Sequence, residues 1–258
     1  MKRYSAYKDS GIEWARDIPA HWQTKRLGYL VRLVNEAGFS DDGRAPINLE
    51  NIESWTGRLC EASDGVAEQE EMKQHKKGDV LFNKLRPYLA KVYRADTDGS
   101  CGGELLVLRS EKNIRSGFLF YRLVSKEFID AVNSATYGTK MPRASWDFIG
   151  HLPIPHPKAE EQDAIANYLD RKTAQIDALI AQKERMIELL KEERTAIINQ
   201  AVAKGLDPNA ETKDSGIEWL GKIPKHWEVK RLKYLVQGKL EYGANEVAEL
   251  DDINMPRY

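Results

Sequence analysis

The chain has 258 residues, 41% of them hydrophobic, so it is long enough to fold as one or two domains around a buried core. Its 39 Lys and Arg residues balance 40 Asp and Glu residues, and the net charge of -1 excludes a protein that is basic over its whole surface. No apolar stretch approaches the ~18 residues of a membrane span, and the N-terminus lacks the apolar core of a signal peptide, so we expect no membrane partner and a cytoplasmic location.

The N-terminal segment occurs twice in the chain. Residues 8–14 recur as 213–219, and the match continues through the His-Trp pairs at 21–22 and 226–227 and the Tyr-Leu-Val triplets at 29–31 and 234–236. Solenoid repeats are only ~20 to 50 residues long, so this spacing indicates a duplicated domain. We expect residues 205–258 to hold a linker, the second copy and the start of a second domain that breaks off.

The first module alternates strand and turn patterns before it becomes helical. Strands are predicted within residues 46–53, 77–87, 90–94 and 104–109, turns at 63–65 and 98–103, and a short helix over 116–132. The proline-rich residues 151–157 are expected to close the module. The fold class is therefore α+β, with residues 1–157 as one domain.

Residues 158–204 contain no proline or glycine and are rich in good helix formers, so they predict one long helix, with a possible break near 170–173. Its apolar stripe has the spacing of a coiled-coil seam, interrupted by Lys183 and Arg194. The stripe consists of Ile176, Ile180, Ile187, Leu190 and Ile197. Gly205 and then Pro208 supply the C-terminal stop. A helix of this length extends roughly 60 to 70 Å, which exceeds the diameter of a domain of ~150 residues. Packing along its own module remains an alternative, but pairing with a helix of another chain is favoured.

Motifs for catalysis and cofactors are missing from the sequence. It contains no phosphate-binding loop, no dinucleotide fingerprint and no metal-binding histidine motif. Cys60 and Cys101 lack metal-ligand spacing, so we expect no disulfide, no zinc and no cofactor. Asp79, Glu104 and Lys112 could be combined into a nuclease site, but a chain with 31% charged residues offers many such sets.

Several segments, in this order, resemble the specificity subunits of type I restriction-modification enzymes. They are residues 9–14 with 18–22, 49–53, 78–91, 138–143 with Trp146, 152–155, and 161–162 with 165–170. The resemblance implies a non-catalytic DNA-recognition subunit in which a target-recognition domain (1–157) precedes a long spacer helix (158–204) that pairs with a second helix. It also implies double-stranded DNA, methylation subunits that modify adenine and, in some assemblies, motor-nuclease subunits as partners.

The chain departs from the family pattern because its second domain stops shortly after residue 243. It therefore resembles a half subunit, either a rearranged product or a cropped one. A self-dimer through the long helices would present two identical recognition domains and favour a symmetric, interrupted target.

Two polar clusters are candidates for DNA contact, because base edges are read by hydrogen-bonding side chains and phosphates are bound by cations and backbone amides. The predicted DNA-binding residues are Asn83, Lys84, Arg86, Tyr88, Lys91, Gly138, Thr139, Lys140 and Arg143. Arg86 or Arg143 could read guanine, although packing or turn roles are equally open for Arg86 and Tyr88. A free-standing nuclease and a coiled-coil adaptor that does not bind DNA remain as alternative functions.

Overall fold

The computed structural model describes residues 4–38, 45–60 and 72–236. The chain divides into two compact units, Met1–Ala178 and Leu179–Tyr258. The turn predicted at residues 63–65 and the expected end of the second domain near residue 243 lie outside the described residues.

The first unit combines short antiparallel strands with helices, which confirms the α+β fold class. Its strands are β1 (Tyr7–Ile12), β2 (Ala15–Pro19), β3 (Gln23–Arg26), β4 (Val31–Val34), β5 (Ala37–Gly38), β6 (Met72–His75), β7 (Val80–Asn83), β8 (Val92–Arg94), β9 (Gly99–Cys101), β10 (Leu105–Ser110) and β11 (Pro153–His156). Its helices are α1 (Ser116–Val124), α2 (Lys126–Ser134), α3 (Trp146–His151) and the first part of α4 (Ala159–Lys204).

The central sheet has the strand order β4-β10-β7-β8 and is buried on both faces. Because successive side chains of a strand point to opposite faces, the apolar run of β10 supplies two cores. Leu106 and Leu108 pack with Phe118 and Phe128 of the helices, whereas Leu105 and Val107 belong to a second apolar cluster on the other face. This double burial explains why residues 80–82 of β7 and 105–108 of β10 are continuously apolar rather than alternating.

Three sequence predictions for this unit need correction. Residues 46–53 form no strand: Leu49–Asn51 is a short 3-10 helix, which Asn48 and Asn51 cap reciprocally. The glycine-rich turn at 98–103 contains strand β9. The helix predicted over 116–132 is two helices, because Ser125 adopts an extended backbone conformation (φ -64°, ψ 143°) that ends α1 and begins α2.

Strand β11 pairs with β3, and α4 begins three residues after β11 ends. Gln162 of α4 is fully buried and anchors the helix to the module. Its side-chain nitrogen donates to the carbonyls of Asn113 (3.0 Å) and Pro157 (2.9 Å), and its oxygen accepts from the Arg115 amide (2.8 Å). The start of α4 is thus fixed by buried polar groups that are satisfied.

Glu161 gives a second anchor at the start of α4. Its carboxylate accepts hydrogen bonds from the Tyr4 hydroxyl (2.7 Å), His21 Nε2 (2.7 Å) and Trp22 Nε1 (3.0 Å). The Trp22 ring also packs edge-on against Phe118. The first His-Trp pair therefore contributes to packing within this unit.

Helix α4 runs without the interruption predicted at 170–173. Tyr121 donates to the Asp170 carboxylate (2.8 Å), and the Thr173 hydroxyl donates to the Leu169 carbonyl (3.0 Å), so the polar side chains of this stretch are satisfied without breaking the helix. Gly205, with φ +80°, follows the last helical residue and ends α4 as predicted. Among the described residues, no helix is both long and apolar enough to cross a membrane.

The second unit holds the remainder of α4, strands β12 (Thr212–Asp214) and β13 (Lys222–Pro224), and a short 3-10 helix at Leu232–Tyr234. The sequence repeat is also a structural repeat. Thr212 pairs with Pro224 as Tyr7 pairs with Pro19 in the first copy. Gly216 repeats the positive φ of its counterpart Gly11.

Candidate nucleic-acid interface

The first candidate loop leaves the central sheet at Asn83, whose side chain is 1% exposed. Its oxygen accepts from the Leu85 amide (2.8 Å), and its nitrogen donates to the Leu85 carbonyl. The direct DNA contact predicted for Asn83 is therefore wrong in this conformation, because both ends of the amide are used inside the protein. Asn83 instead fixes the path of the loop that carries Lys84, Arg86 and Tyr88.

Arg86 has a left-handed backbone conformation, with φ 50° and ψ 61°. A non-glycine residue rarely adopts this conformation, which costs roughly 1 to 2 kcal/mol. The Arg86 amide donates to the Pro142 carbonyl at 2.7 Å, and a single 3-10 turn at Pro87–Leu89 follows. Arg86 is half-buried, whereas Tyr88 is exposed.

The second candidate loop is a tight turn closed by Tyr137 and Arg143. Each residue donates its amide to the carbonyl of the other, at 3.0 Å in both directions. Gly138 has φ +90°, a conformation that favours glycine, and Gly138, Thr139 and Lys140 are exposed. The turn therefore offers backbone amides, a hydroxyl and an ammonium group to solvent.

The structure joins the two loops into one surface, although they lie far apart in the sequence. Besides the bond from Arg86 to Pro142, the Ala144 amide donates to the Lys84 carbonyl (2.9 Å), and Leu85 bridges to Arg143. We call this surface the two-loop surface; it comprises residues 84–91 and 137–143. It brings all the sequence-predicted residues together except the buried Asn83.

Two cations of the two-loop surface already have partners within the protein. Lys91 donates to the Leu49 carbonyl at 2.8 Å. Arg143 binds the Glu104 carboxylate, with Nη2 at 2.7 Å from Oε1 and Nε at 3.4 Å from Oε2. This hydrogen bond raises the pKa of Arg143. Lys84 Nζ lies 3.9 Å from the same carboxylate.

Glu104 and Lys73 lie beside the two-loop surface but were not predicted as DNA-site residues. Lys73 donates to the carbonyls of Gly103 and Leu105, both at 3.0 Å, and burial, followed by repulsion from Lys84, lowers its pKa. Glu104 directly precedes β10, beside the end of β7, since Leu105 pairs with Asn83. Only the pairing of these two strands reveals that proximity.

Two of the three charged residues considered for a nuclease site, Asp79 and Glu104, are paired with arginines. Asp79 is buried and holds Arg109 through two hydrogen bonds of 2.9 and 2.7 Å, and it also accepts from the Lys76 amide. Glu104 is paired with Arg143. Throughout residues 4–38, 45–60 and 72–236, no group of three or more His, Cys, Asp or Glu side chains could hold a metal ion.

The apolar stripe of α4 is exposed along its length. The exposed fractions of the five predicted seam residues lie between 46% and 60%: Ile176, Ile180, Ile187, Leu190 and Ile197. Only Gln162 and Ala166, near the start of α4, are buried. An apolar stripe of this kind is typical of a helix that packs against a partner.

Comparisons with known proteins agree with the sequence resemblance. The family described as type I restriction modification DNA specificity domain matches residues 19–189. The EcoDI specificity subunit of Escherichia coli is 27% identical over 63% of this chain and 37% of its own length, and the MjaVIII specificity subunit of Methanocaldococcus jannaschii is 27% identical over 85% and 50%. The chain thus spans half or less of the length of these relatives.

The fold is likewise similar to a solved structure. The crystal structure of the HsdS subunit from Thermoanaerobacter tengcongensis matches with a TM-score of 0.55 and 20% sequence identity, over 79% of this chain and 53% of that one. At this identity the likeness concerns the fold: a strand-rich domain followed by a long helix.

Proposed function

The chain belongs to the family of type I restriction-modification DNA specificity domains, and from this premise we propose that it recognises a DNA sequence and directs a methylation subunit to it. In this proposal residues 1–157 form the target-recognition domain and residues 158–204 the spacer and pairing helix. Residues 205–258 form the linker and the start of a second recognition domain. The subunit itself performs no catalysis.

The observation that carries the proposal is the two-loop surface. Lys84, Arg86, Lys140 and Arg143 bring four cations onto one surface, whereas the chain as a whole has a net charge of -1. Affinity for DNA comes largely from cations near phosphates, and sequence is read by hydrogen bonds to base edges. A local cationic surface with polar donors meets both requirements.

Roles within the two-loop surface follow from side-chain chemistry. The guanidinium groups of Arg86 and Arg143 can donate two parallel hydrogen bonds to guanine O6 and N7. Lys140, Thr139 and the Gly138 amide are suited to phosphate, which accepts from point charges, hydroxyls and backbone amides. The exposed Tyr88 ring adds an apolar contact surface.

The exposed stripe of α4 supports a dimer of two such chains. Two paired helices would cover the apolar side chains of both copies and hold two identical recognition domains at a fixed separation. The target would then consist of two related half-sites around a spacer. Adenine methylation would be performed by associated methylation subunits, and motor-nuclease subunits would add restriction.

Alanine variants of the two arginines test this assignment. Arg86→Ala or Arg143→Ala should weaken binding at the preferred sequence by about 1 to 3 kcal/mol if the residue reads a base, and leave unrelated DNA nearly unaffected. Binding is measured by titrating labelled duplexes with the chain and its methylation subunit. An equal loss on all sequences would reassign that arginine to phosphate.

The control is Lys126→Ala, which removes an exposed positive charge from α2, where Lys126 pairs with Asp130. It should change neither affinity nor preference by more than a small factor. Equal affinity of the unmodified chain for every sequence would contradict DNA-sequence recognition and favour an adaptor role.

A further inference from the structure

One acidic residue lies among the cations of the two-loop surface. The Glu104 carboxylate contacts the Arg143 guanidinium at 2.7 and 3.4 Å and lies 3.9 Å from Lys84 Nζ. The Lys73 ammonium donates to the carbonyls of Gly103 and Leu105, the residues on either side of Glu104. Glu104 is thus surrounded by cations from three different segments.

Stability gives a weak reason for this ion pair. The Arg143 and Glu104 side chains are 41% and 36% exposed, and exposed ion pairs contribute little to the stability of a fold. A carboxylate on a DNA-binding surface also repels phosphate, so it lowers affinity for any DNA. Neither stability nor DNA affinity therefore explains why an acidic residue lies at position 104.

The geometry of the ion pair between Arg143 and Glu104 supplies such an explanation. A guanidinium group has five N–H donors in a rigid plane. Glu104 takes Nε–H and one Nη2–H, which are the donors on one side edge of the group. The second Nη2–H and both Nη1–H remain, and of these the second Nη2–H and one Nη1–H form the end of the plane. Two adjacent donors at that end match the O6 and N7 acceptors of guanine.

We propose that Glu104 is a positioning residue for sequence recognition, which holds Arg143 by its side edge so that the end of the guanidinium plane faces a guanine. Its negative charge also weakens binding of the same surface to phosphates of unrelated sequences. Glu104 thereby lowers the affinity for DNA of any sequence and raises the preference for the target sequence. This inference rests on the proposed function, since it requires the two-loop surface to contact DNA.

Two substitutions separate geometry from charge. Glu104→Asp keeps the charge but shortens the side chain, whereas Glu104→Gln keeps the length but removes the charge. The experiment is a binding selection from randomised duplexes with the full chain and its methylation subunit, which gives the preference at each base pair of the target. Arg143→Ala first identifies the position that Arg143 reads.

Glu104→Asp should lower the preference for guanine at that position about tenfold, with unchanged affinity for unrelated DNA. Glu104→Gln should lower the same preference and also tighten binding to unrelated DNA, with a steeper salt dependence. The matched control is Glu111→Gln, because Glu111 is exposed and follows β10 directly, as Glu104 precedes it. Glu111→Gln removes the same charge and should leave the base preference at every position of the target unchanged.

Two results would overturn the inference while the proposed function stands. Either both Glu104 variants keep the full preference at the Arg143 position, or they relax all positions of the target equally, as expected for a residue that only supports the loops. Thermal unfolding of each variant shows whether the fold is retained. Should the unmodified chain itself select no sequence, the proposed function fails together with the inference.

Discussion

Arg86 combines a strained backbone with a candidate functional side chain. Its left-handed backbone conformation favours glycine, yet the residue is an arginine. Its amide donates to the Pro142 carbonyl of the second loop. Strain of this kind is found at sites where function requires a particular side chain. The observed strain therefore supports a contact that the side chain makes outside the protein.

Arg86→Gly should leave the free energy of unfolding unchanged or raise it by up to about 1 kcal/mol, because glycine relieves the left-handed strain. The same variant should bind the preferred DNA sequence less tightly. Urea denaturation and DNA titration measure the two effects. A clear loss of stability would show that the Arg86 side chain is needed for the fold, and its role in DNA contact would lose this support.

Sequence reasoning selected two loops that lie side by side in the structure, but it could not rank the residues within them. The basic residues and Gly138 are visible as local patterns. The burial of Asn83 and the pairing of Arg143 with Glu104 depend on which strands lie side by side, and no local pattern encodes that. For the same reason the sequence offered Glu104 only as a member of the nuclease set with Asp79 and Lys112, not as a partner of Arg143.

The start of α4 is held by charged and polar contacts rather than by a large apolar interface. Burial raises the pKa of Glu161, but hydrogen bonds from Tyr4, His21 and Trp22 outweigh this effect and leave the pKa below its ordinary value. A carboxyl group with a lowered pKa stabilises the folded state above its unfolded pKa of about 4.5, and this contribution is lost as the pH falls through the folded pKa.

Glu161→Gln should lower the free energy of unfolding at neutral pH by about 1 to 2 kcal/mol, because the amide replaces a charged acceptor of three hydrogen bonds. Unfolding of the variant should also depend less on pH as the pH falls below about 4.5. Denaturation across this pH range is the measurement. Glu160→Gln, an exposed neighbour in the same helical turn, is the control, and equal behaviour of the two variants would contradict the anchoring role.

The seam of α4 makes a separate prediction. Ile187→Asp would place a charge in the centre of the paired helices and should weaken self-association by at least about a hundredfold. Ala181→Asp adds the same charge on the face of α4 away from the stripe and should have little effect. Sedimentation equilibrium measures both. A wild-type chain that remains a monomer, or a dimer that tolerates Ile187→Asp, would contradict pairing through this seam.

Helix α4 was the most predictable element, because its length, its stripe and its glycine stop are all local properties of the sequence. The predicted break at 170–173 was wrong because Tyr121 satisfies Asp170 from another helix, a tertiary contact. The division into α1 and α2 depends on the backbone of the single residue Ser125, which no periodicity signals.

At the scale of the whole molecule, the repeat of the N-terminal segment is the main structural feature. Both copies fold into the same hairpin, with Trp227 donating its amide to Pro224 as Trp22 donates to Pro19. Their surroundings differ, since Leu27 is fully buried whereas its counterpart Leu232 is 68% exposed. The same hairpin thus forms in two different surroundings, and the first unit provides the core against which the first copy packs.

The most direct test of the central claim is a base-resolution map of DNA methylation produced by the purified chain together with its methylation subunit. The account predicts methyl groups at one defined motif, with two symmetric half-sites around a spacer if two chains pair through α4. Methylation without sequence preference, in a mixture where the two proteins form a complex, would contradict the claim that this chain reads DNA sequence.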